Sequence, residues 1–206
     1  MADTETKISA KDVAKLRQQT GAGMMDCKKA LTETGGDMDA AVEALKVKMG
    51  NKLGKLADRE AGEGTVQSYI HATGKVGVIV EVDCNTDFVA RNDDFIAFAK
   101  DVALHAAAMP GAKYVSEDDV PQDAKDAELR VFAQQAEAEG KPEQIRERIA
   151  AGKLNKWLED VVLLKQVHVN ADKHESKTIE QLRADLSAKT GENVVIRRFA
   201  RFAVGE

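Results

Sequence analysis

The stretch Val76-Gly77-Val78-Ile79-Val80-Glu81-Val82-Asp83-Cys84-Asn85-Thr86-Asp87-Phe88-Val89 changes its period part-way, and that change decides the architecture. Val76, Val78, Val80 and Val82 alternate as in a half-buried strand, whereas Phe95, Phe98, Val102 and Ala106 recur beyond it at helical spacing. Thr86-Asp87-Phe88-Val89 falls between the two registers. With Asp83, Asn85 and Thr86 polar, the junction reads as an exposed turn, so Phe88 stands at a strand-to-helix corner and is a candidate contact with a partner.

Working upstream, residues 63 to 71 alternate, with Val66, Ser68 and Ile70 against Gln67, Tyr69 and His71, and Ala72-Thr73-Gly74-Lys75 supplies the turn of a hairpin. Before the hairpin the period is helical. Ser9-Ala10-Lys11-Asp12 has the form of a capping box, Val13 and Leu16 form an inner face, and Thr20-Gly21-Ala22-Gly23 ends the helix. Met24, Met25, Cys27, Ala30 and Leu31 mark a second helix. Gly35-Gly36-Asp37 then opens a third, with Met38, Ala41, Val42 and Leu45 at i, i+3, i+4, i+7. Residues 1–49 are thus expected to form a three-helix bundle, residues 1–8 reading as disordered. Gly50 to Lys55 reads as a linker or a fraying helix end, within a connecting segment 50–60.

Downstream, Asn92 or Asp93 caps a helix to about Ala108, and Leu129, Phe132, Ala133 and Ala136 mark another. Ile145 and Ile149 predict a helix closed by Gly152, and Leu154, Trp157, Leu158 and Val161 predict a further one. Val161 to Val169 fits a buried extended segment or a helix end equally well. Thr178-Ile179-Glu180-Gln181 is a second capping box, followed by a helix that stops at Thr190-Gly191. Residues 193 to 204 alternate again and predict a third strand with both faces partly apolar, a sheet whose second face meets another chain. The expected fold class is α+β: the N-terminal bundle, then a core over 61–206 with a three-stranded antiparallel sheet packed with helices.

The 206 residues, 43% hydrophobic and 32% charged, describe an ordinary soluble protein. The polar N-terminus carries no signal-peptide pattern and no long apolar run occurs, so a cytoplasmic protein that does not engage a membrane is expected. A net charge of −5 and a pI near 5.5 argue against direct nucleic-acid binding. The local basic run Lys46, Lys48, Lys52, Lys55 and Arg59 reads as a solvated helix face or linker.

The chemistry-bearing residues do not assemble into a catalytic set. Gly21-Ala22-Gly23 lacks both the third glycine, replaced by Asp26, and the preceding strand of a dinucleotide loop. Asp83-Cys84-Asn85-Thr86-Asp87 has the spacing of a calcium loop, but Phe88 replaces the obligatory glycine and Asp94 the closing glutamate. His71, His105, His168 and His174 show no metal-ligand spacing, and Cys27 and Cys84 form no C-x-x-C pair. No catalytic residue, cofactor or metal is expected, and enzymatic activity is not. Met24 and Met25 are adjacent on a helix, so one of them should face outward or sit at the rim.

Longer motifs carry a resemblance. Thr20-Gly21-Ala22-Gly23-Met24-Met25-Asp26-Cys27-Lys28-Lys29-Ala30-Leu31, with Gly36-Asp37 and Ala41, and Val80 through Ala90, resemble two signatures of the bacterial translation elongation factor Ts family; Gly152 to Lys156 and Val195 to Glu206 are similar to it as well. The resemblance implies a ubiquitin-associated-like bundle joined to an α+β core, the core serving dimerisation and binding of EF-Tu. It implies guanine-nucleotide exchange on EF-Tu, met both GDP-bound and nucleotide-free. In the family the residues matching Asp87 and Phe88, within the corner Thr86 to Val89, intrude near the nucleotide site and help dislodge magnesium. Those matching Met24 and Met25 belong to the region that docks the bundle. The chain has neither the repeated core nor the coiled coil of longer members, and resembles the short form, in which a homodimer supplies the second core unit. The competing expectation is an adaptor that binds a partner through its bundle without affecting nucleotide.

Overall fold

The computed structural model describes residues 8–20 and 22–206. Two compact units are built from the chain. One comprises the described residues up to Gly64 with Asp83–Ala90 and Ala184–Val195; the other comprises Thr65–Val82, Arg91–Arg183 and Ile196–Glu206.

In the first unit, α1 (Ala10–Thr20), α2 (Met24–Glu33) and α3 (Met38–Ala57) form the helical bundle. The Ser9 hydroxyl donates to the Asp12 carboxylate (2.6 Å) while the Asp12 amide donates to Ser9 Oγ (3.1 Å). At α3 the Asp37 carboxylate accepts the Ala40 amide (3.0 Å). Both caps satisfy amides that a helix start leaves without in-helix partners. Val13, Leu16, Cys27, Ala30, Leu31, Ala41 and Leu45 close the bundle core. Two expectations change here. Ile8, expected in a disordered tail, packs against this core; the rest of that tail, and Gly21 of the expected helix stop, lie outside the described residues. The stretch expected as a linker or fraying end is helical through Ala57. Leu45, Met49, Leu53 and Leu56 continue the apolar stripe through it, and that stripe outweighs the roughly 1 kcal/mol that Gly50 and Gly54 each cost a helix.

The second unit carries most of the sheet. Strands β1 (Glu63–Ile70), β2 (Val76–Cys84) and β3 (Val195–Ala203) pair antiparallel in that order. The His71 amide donates to the Val76 carbonyl (2.9 Å) at the hairpin, and the Val204 amide to the Lys75 carbonyl (2.9 Å) at the β3 end. Val78, Val80 and Val82 are fully buried, whereas Val66, Ile70, Ile79, Phe202 and Val204 on the opposite side are exposed. Gly77 makes room for that outer layer, because a Cβ there would lie 2.8 Å from Ile70 Cδ1.

A single turn, α4 (Asp87–Ala90), follows β2, and α5 (Asp93–Ala108) begins at Asn92, whose side chain accepts the Asp94 amide (2.8 Å). Phe95, Phe98, Val102 and Ala106 are the buried stripe of α5. Helices α6 (Gln122–Ala138) and α7 (Glu143–Val161) form the antiparallel pair after it. Here α7 runs unbroken through Gly152 instead of stopping there: the glycine is exposed, no atom constrains it, and Ala150, Leu158 and Val161 keep the buried face continuous. The ambiguous 161–169 segment leaves α7 in a short 3-10 turn at Leu163–Lys165, with Val162 bridged to Tyr114. Helix α8 (Ile179–Thr190) opens with the expected reciprocal box, the Thr178 amide donating to Gln181 Oε1 (2.8 Å) and the Gln181 amide to Thr178 Oγ1 (3.2 Å).

Candidate functional site

The corner at the end of β2 is assembled entirely within the first unit. Helix α8 stops at Thr190 because Gly191 adopts φ 74°, a left-handed cap that suits glycine. Glu192 follows, and its carboxylate accepts three hydrogen bonds from the corner: the Asn85 amide (3.1 Å) and the Thr86 amide (3.1 Å) on Oε2, and the Thr86 hydroxyl (2.6 Å) on Oε1. Asn85 is held a second time, its side-chain NH2 donating to the Glu60 carbonyl (2.6 Å) and its Oδ1 accepting the Asn193 amide (2.8 Å). Asn193 in turn donates to the Arg59 carbonyl (2.9 Å). Bonds to an ionised acceptor are the strong members of such a network.

The four corner residues have distinct roles in this geometry. Thr86 is the anchor, and its carbonyl accepts the Ala90 amide (3.1 Å) to close α4. Val89 and Asp87 are half-buried, and Ala90 is buried beneath them. Phe88 is 84% exposed, the most exposed large apolar side chain among those of the described residues. Asn85 has both ends of its amide committed and Asp83 is buried, so the acidic spacing there is a scaffold for the turn. Beneath it, burial first and then the Glu192 carboxylate push the Cys84 thiol up to about 11, and the thiol donates to the Thr86 carbonyl (3.2 Å).

Met24 and Met25 open α2, and both are exposed, Met25 by 74%. The expectation that at least one faces outward is met by both. They sit in the first turn of a helix whose cap, Gly23, offers no side-chain acceptor. The basic run lies along α3 and beyond its end, and Lys48 pairs with Asp26 (2.6 Å), a bond that raises its pKa. The structure therefore brings Thr86 to Val89 together as one corner and places the methionines on the bundle as a separate surface of the same unit. The residues that sequence reasoning missed are Glu192 and Asn193. They lie more than a hundred positions from the residues they hold, and no local spacing signals that pairing.

Comparison with known proteins gives the chain a family. The model of the family described as elongation factor TS matches residues 4–175. The chain belongs to the elongation factor Ts family. A protein of Geobacter metallireducens named elongation factor Ts is 50% identical over 200 residues, covering 97% of this chain and 90% of the relative. Its counterpart in Syntrophus aciditrophicus is 48% identical over 199 residues, covering 97% of each. The relative from Thermosynechococcus vestitus is 48% identical over the same share of this chain but extends further, with 66% of its length covered. Within this elongation factor Ts chain, no helix among the described residues is long and apolar enough to cross a membrane.

Proposed function

We propose that this chain is the guanine-nucleotide exchange factor of EF-Tu in translation elongation, acting in the cytoplasm, and that the corner Thr86-Asp87-Phe88-Val89 is the element that loosens GDP. Membership of the family supports the partner; the observation that carries the mechanism is Phe88, 84% exposed on a turn whose backbone is tied down at Asn85, Thr86 and Ala90. An aromatic presented on a fixed backbone loses little freedom when it enters a partner pocket, and such an anchor contributes roughly 2 kcal/mol or more.

The exchange follows from linkage. Magnesium in the GTPase bridges nucleotide phosphates and a loop hydroxyl, so pushing it aside removes much of the field that holds the diphosphate. A factor that prefers the nucleotide-free GTPase by some ratio must weaken GDP binding by the same ratio. No covalent bond changes in the factor, and no acid, base, cofactor or metal of its own enters the step. Met24 and Met25 supply a second, adaptable contact that docks the bundle.

We further propose that the exposed side of the sheet joins two copies of the chain. Val66, Ile70, Ile79, Phe202 and Val204 make one apolar face across all three strands, with a groove of about 410 Å³ beside Phe202. Release of fluorescent GDP from EF-Tu tests the first proposal. Acceleration that disappears in Phe88→Ala supports it; binding through Met24 and Met25 without any acceleration would favour an adaptor instead.

A further inference from the structure

We propose that Asp101, His168 and His174 form a binding site for a divalent transition-metal ion of the zinc class. The site lies within the second unit, between α5 and the turn that precedes α8. One ligand atom from each residue lies within 4.8 Å of the other two. His174 Nε2 is buried without a hydrogen-bond partner and stands 3.3 Å from Asp101 Oδ2. Its ring meets His168 edge-on, centroids 4.2 Å apart at 64°. A buried imidazole nitrogen left without a bond is costly, and a metal ion is one of the few partners that satisfies it.

The remaining bonds of the cluster accommodate an ion. His168 Nδ1 accepts the Asn170 amide (3.0 Å), which leaves the proton on Nε2, and Nε2 donates to the Asp101 carbonyl (3.1 Å). That carbonyl lies inside α5, where the helix ladder supplies a regular partner, so Nε2 can exchange its proton for a metal bond without stranding the oxygen. The amide on Nδ1 then orients the ring as a second layer of bonding orients a ligating histidine. Lys173 Nζ contacts Asp101 Oδ1 (2.9 Å) and Oδ2 (2.7 Å). Because Lys173 is more than half exposed, it can keep Oδ1 and release Oδ2 to the ion.

Two imidazoles and one carboxylate, with a fourth position for water, are the donor set of borderline ions such as zinc. Ligand atoms around a tetrahedral zinc stand roughly 3.3 Å apart, so the cluster closes by small side-chain movements. His174 is presented by a tight turn, its amide donating to the Asn170 carbonyl (3.2 Å) and the Ser176 amide to the Ala171 carbonyl (2.8 Å). Burial lowers the pKa of His168, and the neutral ring is the form that ligates. The bound ion would clasp residues 168–174 to α5.

Calorimetric titration of the full chain, stripped with a chelator, with Zn²⁺ near neutral pH tests this. One Zn²⁺ per chain is expected, with the affinity lowered roughly tenfold or more in His174→Ala and in Asp101→Asn, and unchanged in His71→Ala, outside the cluster. Co²⁺ should give visible ligand-field bands that His174→Ala abolishes. His174→Ala removes a nitrogen that makes no hydrogen bond and Asp101→Asn keeps the side-chain shape, so both variants should fold, which thermal unfolding checks. No uptake by the wild-type chain, or uptake that survives both substitutions or follows His71, overturns the proposal.

Discussion

The Phe88 corner and the outer face of the sheet both expose apolar side chains, and they differ in what holds them. At the corner one aromatic projects from a turn fixed by Glu192, Asn193 and Asn85, so little more than a single side chain is offered and its position is set before any partner arrives. On the sheet, Val66, Ile70, Ile79, Phe202 and Val204 spread over three strands, and Phe202 and Val204 are 70% and 78% exposed. A point contact acts through placement and an extended face acts through area. The first suits a wedge that distorts a partner, the second a symmetric association of copies.

The largest effect is expected on the sheet. In a two-fold dimer each substitution removes two side chains, so Phe202→Ser should weaken association by about 4 kcal/mol, roughly a thousandfold in dissociation constant. Light scattering across a dilution series reads this, and a wild-type monomer at micromolar concentration would remove the area half of the contrast. Phe88→Ala should raise the dissociation constant for nucleotide-free EF-Tu roughly thirtyfold, about 2 kcal/mol, while thermal stability stays at the wild-type value. A fall in stability instead would mean that Phe88 is a packed residue. Glu192→Ala sharpens the distinction, because it leaves Phe88 in place and releases the turn. Exchange should slow roughly fivefold, about 1 kcal/mol, the value of bonds made at a partly exposed site. Equal activity would show that projection alone, without a fixed backbone, is enough.

The smallest expected effect reports on the same anchor. The Cys84 thiol, raised to about 11, is protonated below that pH, so near pH 8 only about one part in a thousand is thiolate. Alkylation at Cys84, followed by mass spectrometry, should be slow and should rise with pH. Glu192→Ala removes a carboxylate that raises this pKa and should speed the reaction a few-fold; an unchanged rate would show burial alone in control.

Much of this contrast was legible in the chain. The change of period at Thr86 located the corner, the alternation of residues 193 to 204 located the third strand, and the Thr178 box forms both bonds its spacing predicted, whereas at Ser9 the hydroxyl accepts the Asp12 amide but the Asp12 carboxylate takes the Ser9 hydroxyl instead of an amide. Glycines misled where no turn or close approach requires them, since Gly50, Gly54 and Gly152 all lie inside helices whose apolar stripes continue past them. The anchor of the corner and the Asp101, His168 and His174 cluster stayed hidden for a different reason. Glu192 reaches back 106 positions to Thr86, and Asp101 lies 67 positions before His168, so only the folded chain brings them together. Local pattern carries elements and their ends, whereas side-chain partnerships across the fold leave no period to read.

In the proposed mechanism a fixed, projecting Phe88 drives nucleotide release. Stopped-flow release of fluorescent GDP from EF-Tu, with wild-type chain, Phe88→Ala and no factor run side by side, tests it most directly. Strong acceleration by the wild-type chain is expected, with release close to the unassisted rate for Phe88→Ala. Undiminished acceleration by a properly folded Phe88→Ala chain would contradict it.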